Sequence, residues 1–153
     1  MRTAPARGPR ALLLTLLIGG CAMQSPGRTE EPAVNSTPSS LSCTLPTSCV
    51  DSLGSGGMAP LTFRGSPEQA MADLRVTLAT YPQAEIVRSG SDRLVAIFTT
   101  AAGFRDEVEF RIDPQARRID FRSRSPFFAL FDFGKNRSRM REFSLRFGQA
   151  SGS

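Results

Sequence analysis

The chain has 153 residues, 40% of them hydrophobic and 22% charged, with 19 Lys and Arg against 14 Asp and Glu, which is enough for one domain with a core of its own. It contains no histidine, so the usual neutral-pH base is missing, and three cysteines do not complete a structural zinc site; neither a metal nor a cofactor is expected. Three of the arginines lie in the first 20 residues, and the rest of the chain holds 16 basic against 14 acidic side chains, too small an excess for a nucleic-acid binder.

Arg2, Arg7 and Arg10 precede the apolar run from Ala11 to Ile18, and Leu17-Ile18-Gly19-Gly20-Cys21 closes it. The pattern resembles a bacterial lipobox, with small residues around the cut, so residues 1–20 are expected to be a signal peptide. A spanning helix needs about 20 apolar residues, and this run is too short for one. Cys21 then becomes the acylated first residue, and its acyl chains, at about 0.8 kcal/mol per buried CH₂, hold the chain to a membrane. Ala22, where an Asp would retain such a protein, resembles the signal for the outer membrane. The expected location is therefore the bacterial envelope, lipid-anchored and facing the periplasm. Residues 21–42 are rich in Pro, Ser, Thr, Asn, Glu and Gly and read as a tether with a span on the order of 25 Å.

With Cys21 acylated, Cys43 and Cys49 remain as a pair in an oxidising compartment, and a disulfide between them is expected. Residues 43–149 read as a single α+β domain, with 150–153 a tail. The expected architecture is a small antiparallel sheet of about four strands with two amphipathic helices. Ser66 is placed to cap the first helix, with Pro67 at its first position, Gln69 completing a capping box, and Met71, Leu74, Leu78 and Tyr81 on one face before Pro82. Strands are expected at Glu85 to Arg88 and Leu94 to Thr99, separated by Ser89-Gly90-Ser91-Asp92.

From Arg105 to Arg124 the alternation is regular enough to fix a hairpin register. With the turn at Pro114 to Arg117, Ile112 faces Ile119 and Phe110 faces Phe121. The other face then pairs Asp113 with Arg118, Arg111 with Asp120, Glu109 with Arg122 and Glu107 with Arg124, all of opposite charge. A solvated charge ladder and a binding surface both fit that face. The last helix is expected to start at Asn136 as N-cap after Gly134, to bury Met140, Phe143 and Phe147, and to end at Gly148. Arg137 and Arg141 share another of its faces, and Arg137 lies in the first turn, where the macrodipole disfavours a cation. That mismatch points to an anionic partner.

Several of these segments together resemble the domain of unknown function 1499 family over about residues 43–147. The resemblance rests on Cys43-Thr44-Leu45-Pro46-Thr47-Ser48-Cys49-Val50-Asp51-Ser52, on Pro60-Leu61-Thr62-Phe63, and on Phe104 to Phe110. Its most specific part is Arg122-Ser123-Arg124-Ser125 followed by Asp132-Phe133-Gly134-Lys135-Asn136-Arg137, against a family pattern RSASR, a short link, then DLGVNR. The resemblance implies an envelope protein and supplies no activity. Pro126 stands where the pattern has a second arginine, and the link to Asp132 is longer and more apolar. Phe127, Phe128, Phe131 and Phe133 place four of the eleven phenylalanines in seven positions, either capping the core or reaching a bilayer or another envelope protein.

Function classes narrow accordingly. No GxSxG elbow or phosphate loop appears, and Asp106, Glu107 and Glu109 are more simply paired with arginines than used as acid and base, so no catalytic residue is assigned. The sharper expectation is a module for an anionic small molecule or lipid headgroup, with Arg122, Ser123, Ser125, Asn136, Arg137 and Arg141 as binding candidates. Its alternative is a protein that docks on an envelope component through Phe127, Phe128 and Phe131.

Overall fold

The computed structural model describes residues 41–44, 47–54, 57–126 and 131–152. The expected signal peptide, the acylated Cys21, most of the tether, and Phe127 and Phe128 lie outside the described residues. Eight elements follow one another: β1 (Cys49–Asp51), β2 (Leu61–Thr62), α1 (Pro67–Ala79), β3 (Ala84–Ser89), β4 (Arg93–Thr99), β5 (Arg105–Asp113), β6 (Arg118–Arg124) and α2 (Lys135–Ser151). They make an α+β unit whose six strands form one antiparallel sheet.

The order β1-β6-β5-β4-β3 leaves β3 on one edge. On the other edge β1 and β2 lie end to end along β6, with Cys49 to Asp51 paired to Arg124 to Arg122 and Leu61-Thr62 paired to Ile119-Arg118. These two strands raise the count above the expected four. At three and two residues they are too short for any alternation to register, and only β6 defines them.

The β5–β6 register is the expected one at every position: Ile112 opposite Ile119, Phe110 opposite Phe121, and all four oppositely charged pairs in place. β3 and β4 also form where the apolar runs lie, with a shift in pairing between Ile86 and Arg88. Both helices lie on the sheet face that carries Leu94, Phe98, Phe110 and Phe121, and Leu74, Leu78, Met140, Phe143 and Phe147 fill the space between. Phe143 stacks on Tyr81 at 6.0 Å and meets Phe110 at 4.9 Å.

α1 starts as expected, with the Ser66 hydroxyl accepting from the Gln69 N–H at 3.2 Å. The reciprocal half of the capping box is not made, because the Gln69 amide donates to Asp73 instead, at 2.8 Å. α2 departs further. Gly134, at φ 78°, is its N-cap, Asn136 is already inside the helix, and the helix runs through Gly148 to Ser151. Gly148 keeps a right-handed conformation there, so nothing in its backbone stops the helix.

Cys43 and Cys49 form a disulfide, with Cα atoms 5.7 Å apart. The bridge ties the segment before β1 to the outer sheet edge, where the Cys43 N–H also donates to the Asp51 carboxylate at 2.7 Å.

Candidate functional site

Strand alternation separates the expected binding residues. Arg122 and Ser123 are neighbours in β6, so their side chains leave opposite faces of the sheet.

On the helix-free face, Arg122 belongs to a row that crosses four strands through Val95, Glu109 and Asp51. Glu109 is 1% exposed and is the hub of this face. Its Oε2 lies 3.1 Å from Arg122, and its Oε1 lies 2.8 Å from the Arg93 Nε and 3.7 Å from Arg111. The Arg93 contact is an ion pair without hydrogen-bond alignment. Glu107 holds Arg124 at 2.8 Å and stands 3.6 Å from Arg122. Burial, helped by the neighbouring Arg124 charge, pushes the Arg122 guanidinium below its usual range, and Glu109 and Glu107 oppose that shift. The centre of the ladder is thus buried and internally neutralised, while its outer end at Asp113 and Arg118 is open to water. The expectation of a solvated ladder holds there and at Arg124 on the opposite end, which is also exposed, and fails at the centre.

On the helix-covered face, Ser123, Ser125 and Asn136 do come together. The Asn136 amide nitrogen donates to the Ser48 carbonyl, the Ser125 hydroxyl and the Asp132 carboxylate at 2.7–3.1 Å. Its oxygen accepts from the Ser123 hydroxyl at 2.6 Å and from Arg139 at 2.7 Å. Arg139 also pairs with Asp106 and lies 4.9 Å above the Phe98 ring. Asp132 accepts from the N–H groups of Gly134 and Asn136 at 2.9 and 3.0 Å, satisfying the start of α2 from outside it. Asn136 is completely buried and bonded through both ends of its amide, so the strongest motif in the sequence is a latch joining β6, the segment before β1 and α2. Asp106 and Arg139 were missed as latch members. Asp106 lies in phase with Val108 and Phe110, and a carboxylate on an apolar strand face needs a buried partner.

Arg137 and Arg141 lead elsewhere. Arg137 reaches the Gly57 carbonyl at 3.4 Å, drawing residues 57–62 along α2. One turn later Arg141 sits at the rim of a groove of about 540 Å³ between that segment and the helix. Met58, Pro60 and Leu61 form one wall, and Leu145, Phe147 and Gly148 the other. Arg141, Leu145 and Gly148 follow the three- and four-residue helical spacing that places them on one face. Gly148 has open space where a Cβ would stand, so the helix passes without filling the groove. Leu145 is 71% exposed on its wall, and Arg141 has no hydrogen-bonding or ionic partner among the described residues. A second hollow continues past Thr62 and Gly148 towards Arg64 and Arg117. Chemically the groove offers apolar walls with cations at its ends.

Among the described residues no group of His, Cys, Asp or Glu is arranged to hold a metal. A family model described as a protein of unknown function (DUF1499) matches residues 28–147. No curated protein and no solved structure matches the chain.

Proposed function

This chain belongs to the DUF1499 family of proteins of unknown function, and from that premise we propose that it is a non-catalytic binding module, held to the bacterial envelope by acyl chains on Cys21, that takes an anionic amphiphile in the groove beside α2. The observation that carries this reading is the pairing of apolar walls at Met58, Leu61, Leu145 and Phe147 with the unpartnered Arg141 at the rim. A ligand with a carboxylate or phosphate head and a short apolar body matches both parts.

Three arginines of the sheet and latch support the same choice by their occupation. Arg122 and Arg124 answer Glu109 and Glu107, and Arg139 answers Asp106. An anion arriving there would compete with a carboxylate already in place, whereas at Arg141 no carboxylate among the described residues stands in its way. The same ion pairs support a non-catalytic reading of Asp106, Glu107 and Glu109, whose charges are already answered by arginines.

The test is direct binding of a fluorescent medium-chain fatty acid to the detergent-free Cys21→Ser chain. Arg141→Ala is expected to weaken binding about tenfold, the size of one charge-assisted hydrogen bond, with the melting temperature unchanged. Equal affinity in Arg141→Ala and in Leu145→Asp would overturn the reading.

A further inference from the structure

The latch holds something outward as well as together. Phe133 is 91% exposed and Phe131 is 65% exposed. Phe133 also adopts φ 52°, a left-handed conformation that large side chains rarely take, and Gly134 follows at φ 78°. The chain is fixed on both sides of that residue. The Asp132 N–H donates to the Thr47 carbonyl at 3.3 Å, the Asp132 carboxylate takes the Gly134 and Asn136 N–H groups, and the Lys135 N–H donates to the Asp132 carbonyl at 3.1 Å. The strain at Phe133 therefore persists because its surroundings over-determine it, and the backbone that presents the ring is already ordered, so burial costs only the side chain's own freedom.

The chemistry around the rings is cationic. Lys135 is exposed two residues on, whereas the Asp132 carboxylate between the two rings is engaged by the Gly134 and Asn136 N–H groups. A ring that protrudes this far lacks the surrounding shelf of contacts that shields an aromatic anchor at a protein interface. A bilayer needs no such shelf, since headgroups close around whatever enters. We propose that Phe133, with Phe131 and Lys135, enters the headgroup region of an anionic bilayer and gives the domain a membrane contact separate from the acyl chains. The aromatic rings supply the burial, and Lys135 supplies the preference for negative lipid.

The chain contains no tryptophan, so Phe133→Trp in the mature chain from residue 21, carrying Cys21→Ser, is a single reporter. With vesicles of phosphatidylglycerol and phosphatidylethanolamine, its emission is expected to move to shorter wavelength and to be quenched by brominated acyl chains. Phosphatidylcholine vesicles should give a several-fold weaker response. Phe133→Gly relieves the positive φ, so it is expected to leave or raise the melting temperature while lowering vesicle binding about tenfold. Emission from Phe133→Trp that no lipid concentration shifts, in a chain with native circular dichroism, overturns the proposal and leaves these rings to a protein partner. So does undiminished vesicle binding by Phe133→Gly. A shift in Leu145→Trp without one in Phe133→Trp also overturns it, and assigns the lipid contact to the groove instead.

Discussion

Tyr81 brings its hydroxyl into the core and finds no hydrogen-bond partner there among the described residues. Its ring is worth the position: Phe98 meets it edge-on at 5.5 Å, and the Arg146 guanidinium lies over it at 4.2 Å. The hydroxyl alone is a burden, because a buried donor without a partner loses its water and gains nothing. Tyr81→Phe is therefore expected to be neutral or stabilising by about 1 kcal/mol, read as the midpoint of urea unfolding at neutral pH. Burial, and then the Glu142 charge, raise the Tyr81 hydroxyl above its ordinary value of 10. Since the folded value is the higher, ionisation of Tyr81 costs the fold nothing below the unfolded value, and stability is lost as pH climbs from there through the folded one. The alkaline loss should flatten in Tyr81→Phe. Tyr81 is the chain's one tyrosine, so its absorbance change with pH reads this group alone. Its burial was legible from the helical spacing of Met71, Leu74, Leu78 and Tyr81, but the spacing says nothing of where a hydroxyl ends up.

Among the elements, the β5–β6 hairpin was the most legible and β1 and β2 the least, for one reason. Pairing nine residues with seven lets alternation and four charge pairs agree on one register, whereas a strand of two or three residues carries no pattern to agree with. Even in the hairpin the contacts differ from the register. Arg111 stands opposite Asp120 yet reaches Glu109 in its own strand, and Asp120 takes Arg118 and the Ser52 hydroxyl. Glu109 thereby gathers the charge of Arg93, Arg111 and Arg122 in a buried position. Glu109→Gln would leave those guanidiniums without their counter-charge and is expected to cost about 3 kcal/mol, measured by urea unfolding. Replacing Glu109, Arg93 and Arg122 together by leucine should recover most of that loss. A cost below the error of the measurement in Glu109→Gln would mean that water already compensates this face.

At the scale of the whole molecule, the proposed function divides attachment and recognition between different parts of the chain. The proposed acyl anchor rests on the resemblance of Leu17 to Cys21 to a lipobox, and on that proposal Cys21→Ala is expected to remove the chain from a washed membrane pellet, detected by immunoblot of the fractions. Persistence in that pellet would refute the acyl anchor. Recognition depends on what the fold brings together. Residues 57–62 reach α2 through the pairing of β2 with β6 and the reach of Arg137 to Gly57, and that approach makes the groove at Arg141.

The sequence by itself determined the α+β class, both helices and their apolar faces, the hairpin register, the Cys43–Cys49 bridge and membership of the family, because each is written in local periodicity, in residue type or in a contiguous motif. Only the tertiary structure decided which side of the sheet each signature residue serves. Alternation sends Arg122 to a carboxylate on one face and Ser123 to Asn136 on the other. One continuous motif is thus split between an ion cluster and a latch, since a side chain's chemistry depends on what the fold places against it.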